Sequence, residues 1–355
     1  MKNKAGVSRR NFLRQTSIGL GAGIVGVTVP SCNVNTSREN AKLPREVSVA
    51  SVDLKGLWPD TTRESRIKRI MQRMKEVTGL KPDVICLPEL FDTIWVSEDL
   101  PMSEVAEDEN VPGPVTSRIA EFAKEHNCYV VCPIYTKKDG HFYNSSLLVD
   151  RNGGIAGVYH KIHPVKSEIL SKKSTNEGGG ITPGALYQPV IETDFGKVGM
   201  LICYDANWAD GFDNFKKQGA EIIFFSSAYP GGRMLNYYAW KNGCYIISST
   251  GGDARVVDMS GNDIDSSSTF IRYAWATINL EKANVDTWPT NGRLPEIFNK
   301  YGNRLGIKVW DKTGVITIES RDPGIKVKDV LKEFEIPTGE EVLIKTEEVQ
   351  DKYRI

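Results

Sequence analysis

KVGMLICYDANW, residues 197–208, puts a single thiol at the end of a buried strand. Val198, Met200, Leu201 and Ile202 form a short, nearly unbroken apolar run, the pattern of a strand covered on both faces in an α/β protein. Cys203 comes where that strand should stop, and polar Tyr204, Asp205 and Asn207 follow it. A thiol at a strand-to-loop or strand-to-helix corner is exposed at the sheet edge beside backbone N–H groups. A nucleophile attacking a carbonyl needs that setting. A buried structural cysteine is the competing interpretation, and the commoner fate of a free thiol. The stretch alone leaves both open.

The rest of the chain narrows the choice. Its 355 residues are 40% hydrophobic and 25% charged, enough for a sizeable core in one large domain or two small ones. Cys86, Cys128, Cys132 and Cys244 sit in or beside apolar, strand-like runs. Cys128 and Cys132 share one strand, roughly 13 Å apart when extended, too far to bridge each other. No Cys-x-x-Cys pair or histidine cluster has the spacing of a metal site. Cys203 is left as the working thiol.

The N-terminus is an address. Ser8-Arg9-Arg10-Asn11-Phe12-Leu13-Arg14 is a twin-arginine pattern, followed by a glycine-rich, uncharged segment from Thr16 to Pro30 that is too short and weakly apolar for a good membrane span. Residues 1–31 therefore resemble a bacterial twin-arginine signal peptide, and the expected location is the periplasm or envelope. Val29-Pro30-Ser31-Cys32 resembles an imperfect lipobox; cleavage before Cys32 would let that residue carry lipid and anchor the protein, its one expected link to a membrane. Without residues 1–31 the chain has 40 basic against 45 acidic residues, a net charge of −5. No basic stripe argues for nucleic acid.

After a polar linker over 32–45, a strand is predicted at 47–54, an amphipathic helix at 63–77 and a second buried strand at 84–87. A helix from about 115 to 126 and a strand at 129–135 follow. Strands at 143–149 and 155–160 are joined by Arg151-Asn152-Gly153-Gly154, a hairpin signal. Beyond Cys203 the pattern predicts helices at 210–218 and 235–242 and strands at 221–226, 244–250, 254–258 and 269–280. Strands alternate with helices early and run as hairpins late, which suggests two packed sheets with helices outside. A domain over 46–300 and a C-terminal extension over 301–355 are expected.

Two further strand ends carry suitable chemistry. Glu89 follows Ile85-Cys86-Leu87-Pro88, where a desolvated carboxylate can take a proton from a thiol; the plainer alternative is a solvated or salt-bridged glutamate. Lys161 stands in Tyr159-His160-Lys161-Ile162-His163, where a fixed ammonium can hold a developing oxyanion; the alternative is a surface lysine.

Together these stretches resemble the nitrilase, or carbon–nitrogen hydrolase, superfamily in its amidase-like branch. The resemblance rests on Pro88-Glu89, the Tyr-x-Lys-x-His context of Lys161 and Cys203-Tyr204-Asp205. Tyr143-Asn144-Ser145-Ser146, Thr182-Pro183-Gly184, Asp194 to Gly199 and Gln218 to Glu221 support it, in the family's order from about Val47 to Leu280. It implies an α/β fold, a four-layer α-β-β-α sandwich, usually paired as a homodimer. It also implies a Glu89-Lys161-Cys203 triad acting on a small amide through a thioester, with no cofactor or metal. The family uses a second glutamate shortly before the Pro-Gly turn; of Glu168 and Glu177, the latter lies six residues before Pro183 and is chosen. The Ala206-Asn207-Trp208 flank departs from the Arg-Phe-Pro-Glu or Trp-Phe-Pro-Glu that many members carry. Tyr204, Asn207 and Trp208 are therefore the expected substrate-binding residues. Nitrile hydrolysis, N-carbamoyl cleavage and a non-catalytic envelope binding protein are the competing functions.

Overall fold

The computed structural model describes residues 42–57, 59–171 and 180–355. The predicted signal and the part of the predicted 32–45 linker up to Ala41, Cys32 among them, lie outside the described residues, as does Glu177. The described chain opens with β1 (Glu46–Val52), β2 (Val84–Cys86), β3 (Glu107–Asp108), β4 (Tyr129–Lys138), β5 (His141–Val149) and β6 (Ile155–His160). These belong to one sheet, ordered β13-β1-β2-β4-β5-β6, with β3 beside β4 and β13 (Tyr273–Asn279) returning antiparallel to β1. β1, β2 and β4 are parallel; β4, β5 and β6 form antiparallel hairpins.

The second sheet is ordered β12-β11-β10-β9-β8-β7. It contains β7 (Ile191–Glu192), β8 (Lys197–Ile202), β9 (Ile222–Ser227), β10 (Tyr245–Thr250), β11 (Ala254–Val257) and β12 (Asp263–Ser266). β8, β9 and β10 are parallel, so their C-terminal ends share one edge. Helices α1 (Arg63–Val77) and α2 (Pro114–His126) cover the first sheet; α3 (Asp210–Lys217) and α4 (Gly232–Asn242) cover the second. The four-layer sandwich is the architecture expected.

Each helix starts where its sequence allows. Thr62 caps α1 by accepting the Ser65 N–H at 3.1 Å, and Ile67, Ile70, Met74 and Val77 form its buried stripe. Glu107 caps α2, accepting the Val115 and Thr116 N–H groups at 2.6 and 2.9 Å, where a carboxylate also meets the positive end of the helix dipole. Between the sheets, Val49, Val84 and Val131 of the first belong to one core with Met200, Phe224 and Ile246 of the second. A seam of serines closes the C-terminal edge. Ser51 Oγ donates to the Ser248 carbonyl at 2.6 Å, Ser249 Oγ to that of Val52 at 2.5 Å and Ser226 Oγ to that of Leu87 at 2.8 Å.

Two expectations are corrected. The strand expected over 269–280 begins only at Tyr273, and β12 precedes it as an exposed edge strand that no apolar alternation announced. The boundary expected at residue 300 cuts through a third sheet. In it β14 (Lys282–Asp286) pairs with β16 (Val315–Ser320), which also pairs with β15 (Leu305–Trp310). This sheet shares a separate small core with α5 (Leu294–Tyr301) and α6 (Val327–Glu333), including Val285, Ile297, Ile316 and Val330. The C-terminal element therefore starts at Lys282. Among the described residues no helix is long and apolar enough to cross a membrane. Phe224→Ala should cost about 3–5 kcal/mol of stability by opening a cavity between the sheets, measured by urea unfolding followed by circular dichroism.

Candidate active site

β2 ends at Cys86, and Leu87 holds the chain to the sheet by donating its N–H to the Val131 carbonyl at 3.2 Å. Leu90 then takes φ +48°, a left-handed conformation costly for a side-chain-bearing residue, and the turn leaves Glu89 pointing inward, 3% exposed. Lys161 follows β6. Its N–H donates to the Asn144 carbonyl and its carbonyl accepts the Gly184 N–H, both at 2.8 Å. Gly184 has to be glycine: a Cβ there would lie 2.3 Å from the His160 carbonyl oxygen. β8 delivers Cys203 from the other sheet at φ +50°, opening a single 3-10 turn over Cys203–Asn207.

The side chains converge. Lys161 Nζ donates to Glu89 Oε1 at 2.8 Å and to Glu168 Oε2 at 2.9 Å. Asn144, fully buried, spans the same two carboxylates, its Nδ2 donating to Glu89 Oε1 and Glu168 Oε1 at 2.9 Å each. The backbone N–H of Ala228, just past β9, donates to Glu89 Oε2 at 2.9 Å, and that of Val165 to Glu168 Oε2 at 2.8 Å. The Cys203 thiol faces the same space as Glu89 and Lys161. Glu89, Tyr135, Lys161, Glu168 and Cys203 border a cavity of about 460 Å³.

Burial works against the Lys161 ammonium, but Glu89, Glu168 and Cys203 outweigh it and hold its pKa well above the ordinary value. The Cys203 thiol is pushed up to about 12 by burial and then by the Glu89 charge, against the pull of Lys161. It is therefore a neutral thiol at rest. Burial raises Cys86, Cys128, Cys132 and Cys244 as well, so acidity does not single out the nucleophile. Position does: Cys203 is the one described cysteine that is not fully buried.

Asp205 joins the two halves of the site. Its Oδ2 accepts the Ile202 N–H at 2.9 Å and the Tyr159 hydroxyl at 2.7 Å, while Oδ1 accepts the His163 N–H at 2.8 Å. The thiol turn is thereby pinned to the segment that carries Lys161. Burial raises Asp205 to about 6 despite these bonds.

The structure brings Glu89, Lys161 and Cys203 together. The second carboxylate beside Lys161 is Glu168, the candidate passed over. Counting back from Pro183 favoured Glu177, whereas the helical turn Lys166–Ile169 is what presents Glu168. Tyr204, Asn207 and Trp208 are exposed and do not line this cavity. The tight turn buries Asp205 and Ala206, turns Cys203 to the cavity and leaves Tyr204 and Asn207 exposed. Trp208 stacks on His163 with ring centroids 4.1 Å apart, and Asn207 Nδ2 donates to the Tyr204 carbonyl at 3.0 Å. Asn144 and Asp205 were visible only as members of motifs, and Tyr135 and the loop after Glu89 gave no signal. Among the described residues, no group of three or more His, Cys, Asp or Glu side chains is placed to hold a metal ion.

Comparison with known proteins gives the family. Residues 48–284 match the model of the family described as carbon-nitrogen hydrolase. An omega-amidase of Xenopus tropicalis is 27% identical over 168 residues, 47% of this chain and 59% of that protein. The deaminated glutathione amidase of Rattus norvegicus is 24% identical over 200 residues, 53% of this chain and 60% of that protein. The chain thus spans under two-thirds of the length of these relatives. The crystal structure of Saccharomyces cerevisiae Nit3, a member of branch 10 of the nitrilase superfamily, superposes with a TM-score of 0.56 at 18% identity, covering 67% of this chain and 91% of that one. With two-thirds of its length matched by the family and the sandwich in common, the chain belongs to the carbon–nitrogen hydrolase family.

Proposed function

We propose that the protein hydrolyses a non-peptide C–N bond of a small carboxamide through a thioester on Cys203, releasing ammonia or an amine. The convergence of Glu89, Lys161 and Cys203 on one cavity, from strand ends in two sheets, carries this reading. The amidase names of the two curated relatives support an amide substrate.

The thiol is neutral at rest, so it must lose its proton as it attacks. Glu89 takes that proton while the Cys203 sulfur bonds to the amide carbon. Two of the three Lys161 Nζ protons are held by Glu89 and Glu168, and the third is directed to the oxyanion together with the Tyr204 backbone N–H. The tetrahedral intermediate collapses with cleavage of the C–N bond, and Glu89 returns its proton to the leaving nitrogen. Water, deprotonated by Glu89, then attacks the thioester. The acid leaves and the thiol is restored. Glu168 and Asn144 position Lys161 and Glu89.

We propose further that residues 1–31 direct export by the twin-arginine route and that Cys32 is lipidated, on the strength of the Ser8–Arg14 pattern and the segment after it. Retention of an Arg9→Lys, Arg10→Lys variant in the cytoplasm, and loss of fatty-acid labelling in Cys32→Ala, are the expected results. Exposed Tyr237 and Trp240 on α4 support assembly as a homodimer, which sedimentation velocity tests.

Cys203→Ala should abolish ammonia release from an amide panel, and Lys161→Met should lower kcat on the order of a hundredfold or more. If neither variant affects turnover, the assignment fails. Carbamoyl compounds or nitriles consumed in place of amides would move the reaction within the family. Mass spectrometry of the trapped acyl-enzyme locates the adduct and names the acyl group. Glu89→Gln should be inactive although its thiol becomes more acidic, since the carboxylate that raises the Cys203 pKa is gone. The pH profile of Cys203 alkylation by iodoacetamide should therefore move to lower pH; a profile that stays put would separate Glu89 from the thiol.

A further inference from the structure

Tyr229, two residues past β9, touches the backbone of the nucleophile. Its hydroxyl donates to the Cys203 carbonyl at 3.3 Å, a long contact for an O–H donor. That carbonyl shares a peptide group with the Tyr204 N–H. A trans peptide is planar and sets the two at opposite ends, so a donor placed on the oxygen helps fix where the N–H points. The backbone that carries Tyr229 is held on both sides. The Tyr229 N–H donates to Ser227 Oγ at 3.1 Å, and the Ser227 carbonyl accepts the Gly251 N–H at 3.0 Å. Beyond it, buried Arg255 donates from Nη2 to the Pro230 carbonyl at 3.1 Å and to that of Gly232 at 3.0 Å. Ala228, the preceding residue, gives its N–H to Glu89 Oε2 at 2.9 Å. One short segment therefore grips the general base by its backbone and the nucleophile's carbonyl by a phenol. Burial above all pushes the Tyr229 hydroxyl up to about 12, so it keeps its proton and remains a donor at neutral pH.

Resting on the thioester route proposed for Cys203, we propose that Tyr229 is a positioning residue for the oxyanion. Through the Cys203 carbonyl it aims and polarises the peptide whose Tyr204 N–H receives the developing charge. As the amide oxygen becomes negative it draws on that N–H, and electron density shifts along the peptide to the Cys203 oxygen. That oxygen then accepts the phenol proton more strongly, because hydrogen bonds in a chain polarise one another. The bond is therefore worth more in the tetrahedral state than at rest, and an interaction of that kind raises kcat rather than lowering KM. Alkylation by iodoacetamide makes no such demand. There the sulfur displaces iodide and gives up its proton, and no charge arises on a carbonyl oxygen.

The test is Tyr229→Phe in the full chain, which keeps the ring and removes only the hydroxyl. Three quantities are compared with the unaltered protein. They are ammonia release from whichever amide of the panel is turned over fastest, inhibition by the aldehyde of the same acyl chain, and alkylation of Cys203 by iodoacetamide. The aldehyde adds to the Cys203 sulfur and places a tetrahedral oxygen where the oxyanion forms. In Tyr229→Phe kcat should fall about three- to tenfold, the worth of one neutral hydrogen bond, with KM little changed. Aldehyde inhibition should weaken by a similar factor. The rate of alkylation and its pH profile should stay those of the unaltered protein, which also shows the variant folded. Alkylation slowed in step with kcat, or a loss carried by KM, makes Tyr229 a support of the thiol turn and overturns the proposal. A kcat that does not move overturns it as well, and each of these outcomes leaves amide hydrolysis standing. No ammonia and no Cys203 acyl adduct in the unaltered protein removes the hydrolase reading and this proposal with it.

Discussion

A buried cation between two buried carboxylates is the constraint around which one end of this sandwich is built. Removing such charges from water costs several kcal/mol each, and the cost is offset only when every charged atom finds a partner. Lys161 supplies one partner to each of Glu89 and Glu168, and Asn144 supplies another to both. What remains is met by backbone, from Ala228 beyond β9 and Val165 beyond β6. One of those donors belongs to the second sheet. The cluster is therefore complete only when the two sheets close on each other, and closure also brings Cys203 to Glu89. The serine seam serves the same end: Ser226, at the end of β9, donates to Leu87, two residues before Glu89. Assembly of the fold and assembly of the catalytic group are one event.

The parts legible in the sequence are those where a single local rule decides the outcome. The apolar run before Cys203 and the amphipathic stripe of α1 are such cases, and both elements lie where the pattern places them. Glu89, Lys161 and Cys203 were found because each follows a strand of that kind, and strand ends in a layered α/β fold are where side chains leave the core. Glu168 was not chosen because its place depends on one helical turn and on the backbone N–H of Val165, a contact that residue counting does not contain. Tyr204, Asn207 and Trp208 were chosen for closeness in sequence to the nucleophile, but a 3-10 turn separates neighbours in sequence onto different faces. The third sheet was obscured by polarity: β14 reads Lys-Ala-Asn-Val-Asp, and of its side chains only Val285 is fully buried.

The flank of the nucleophile orients the thiol. Cys203 is held at a positive φ that costs energy, and such a backbone persists only where its surroundings over-determine it. Asp205 provides this by accepting three hydrogen bonds that reach back to Ile202 and across to Tyr159 and His163. Its carboxyl is raised to about 6 by burial, a sign that the ionised form is held there against its own solvation for the sake of geometry. Tyr159 and His163 bracket Lys161 in sequence, so a single carboxylate sets the thiol turn and the ammonium in one frame. With the residues after Cys203 committed to orientation, the apolar wall of the cavity comes from elsewhere in the chain. That wall is the loop continuing from Glu89, with Leu90, Ile94, Val96 and Leu100 along it.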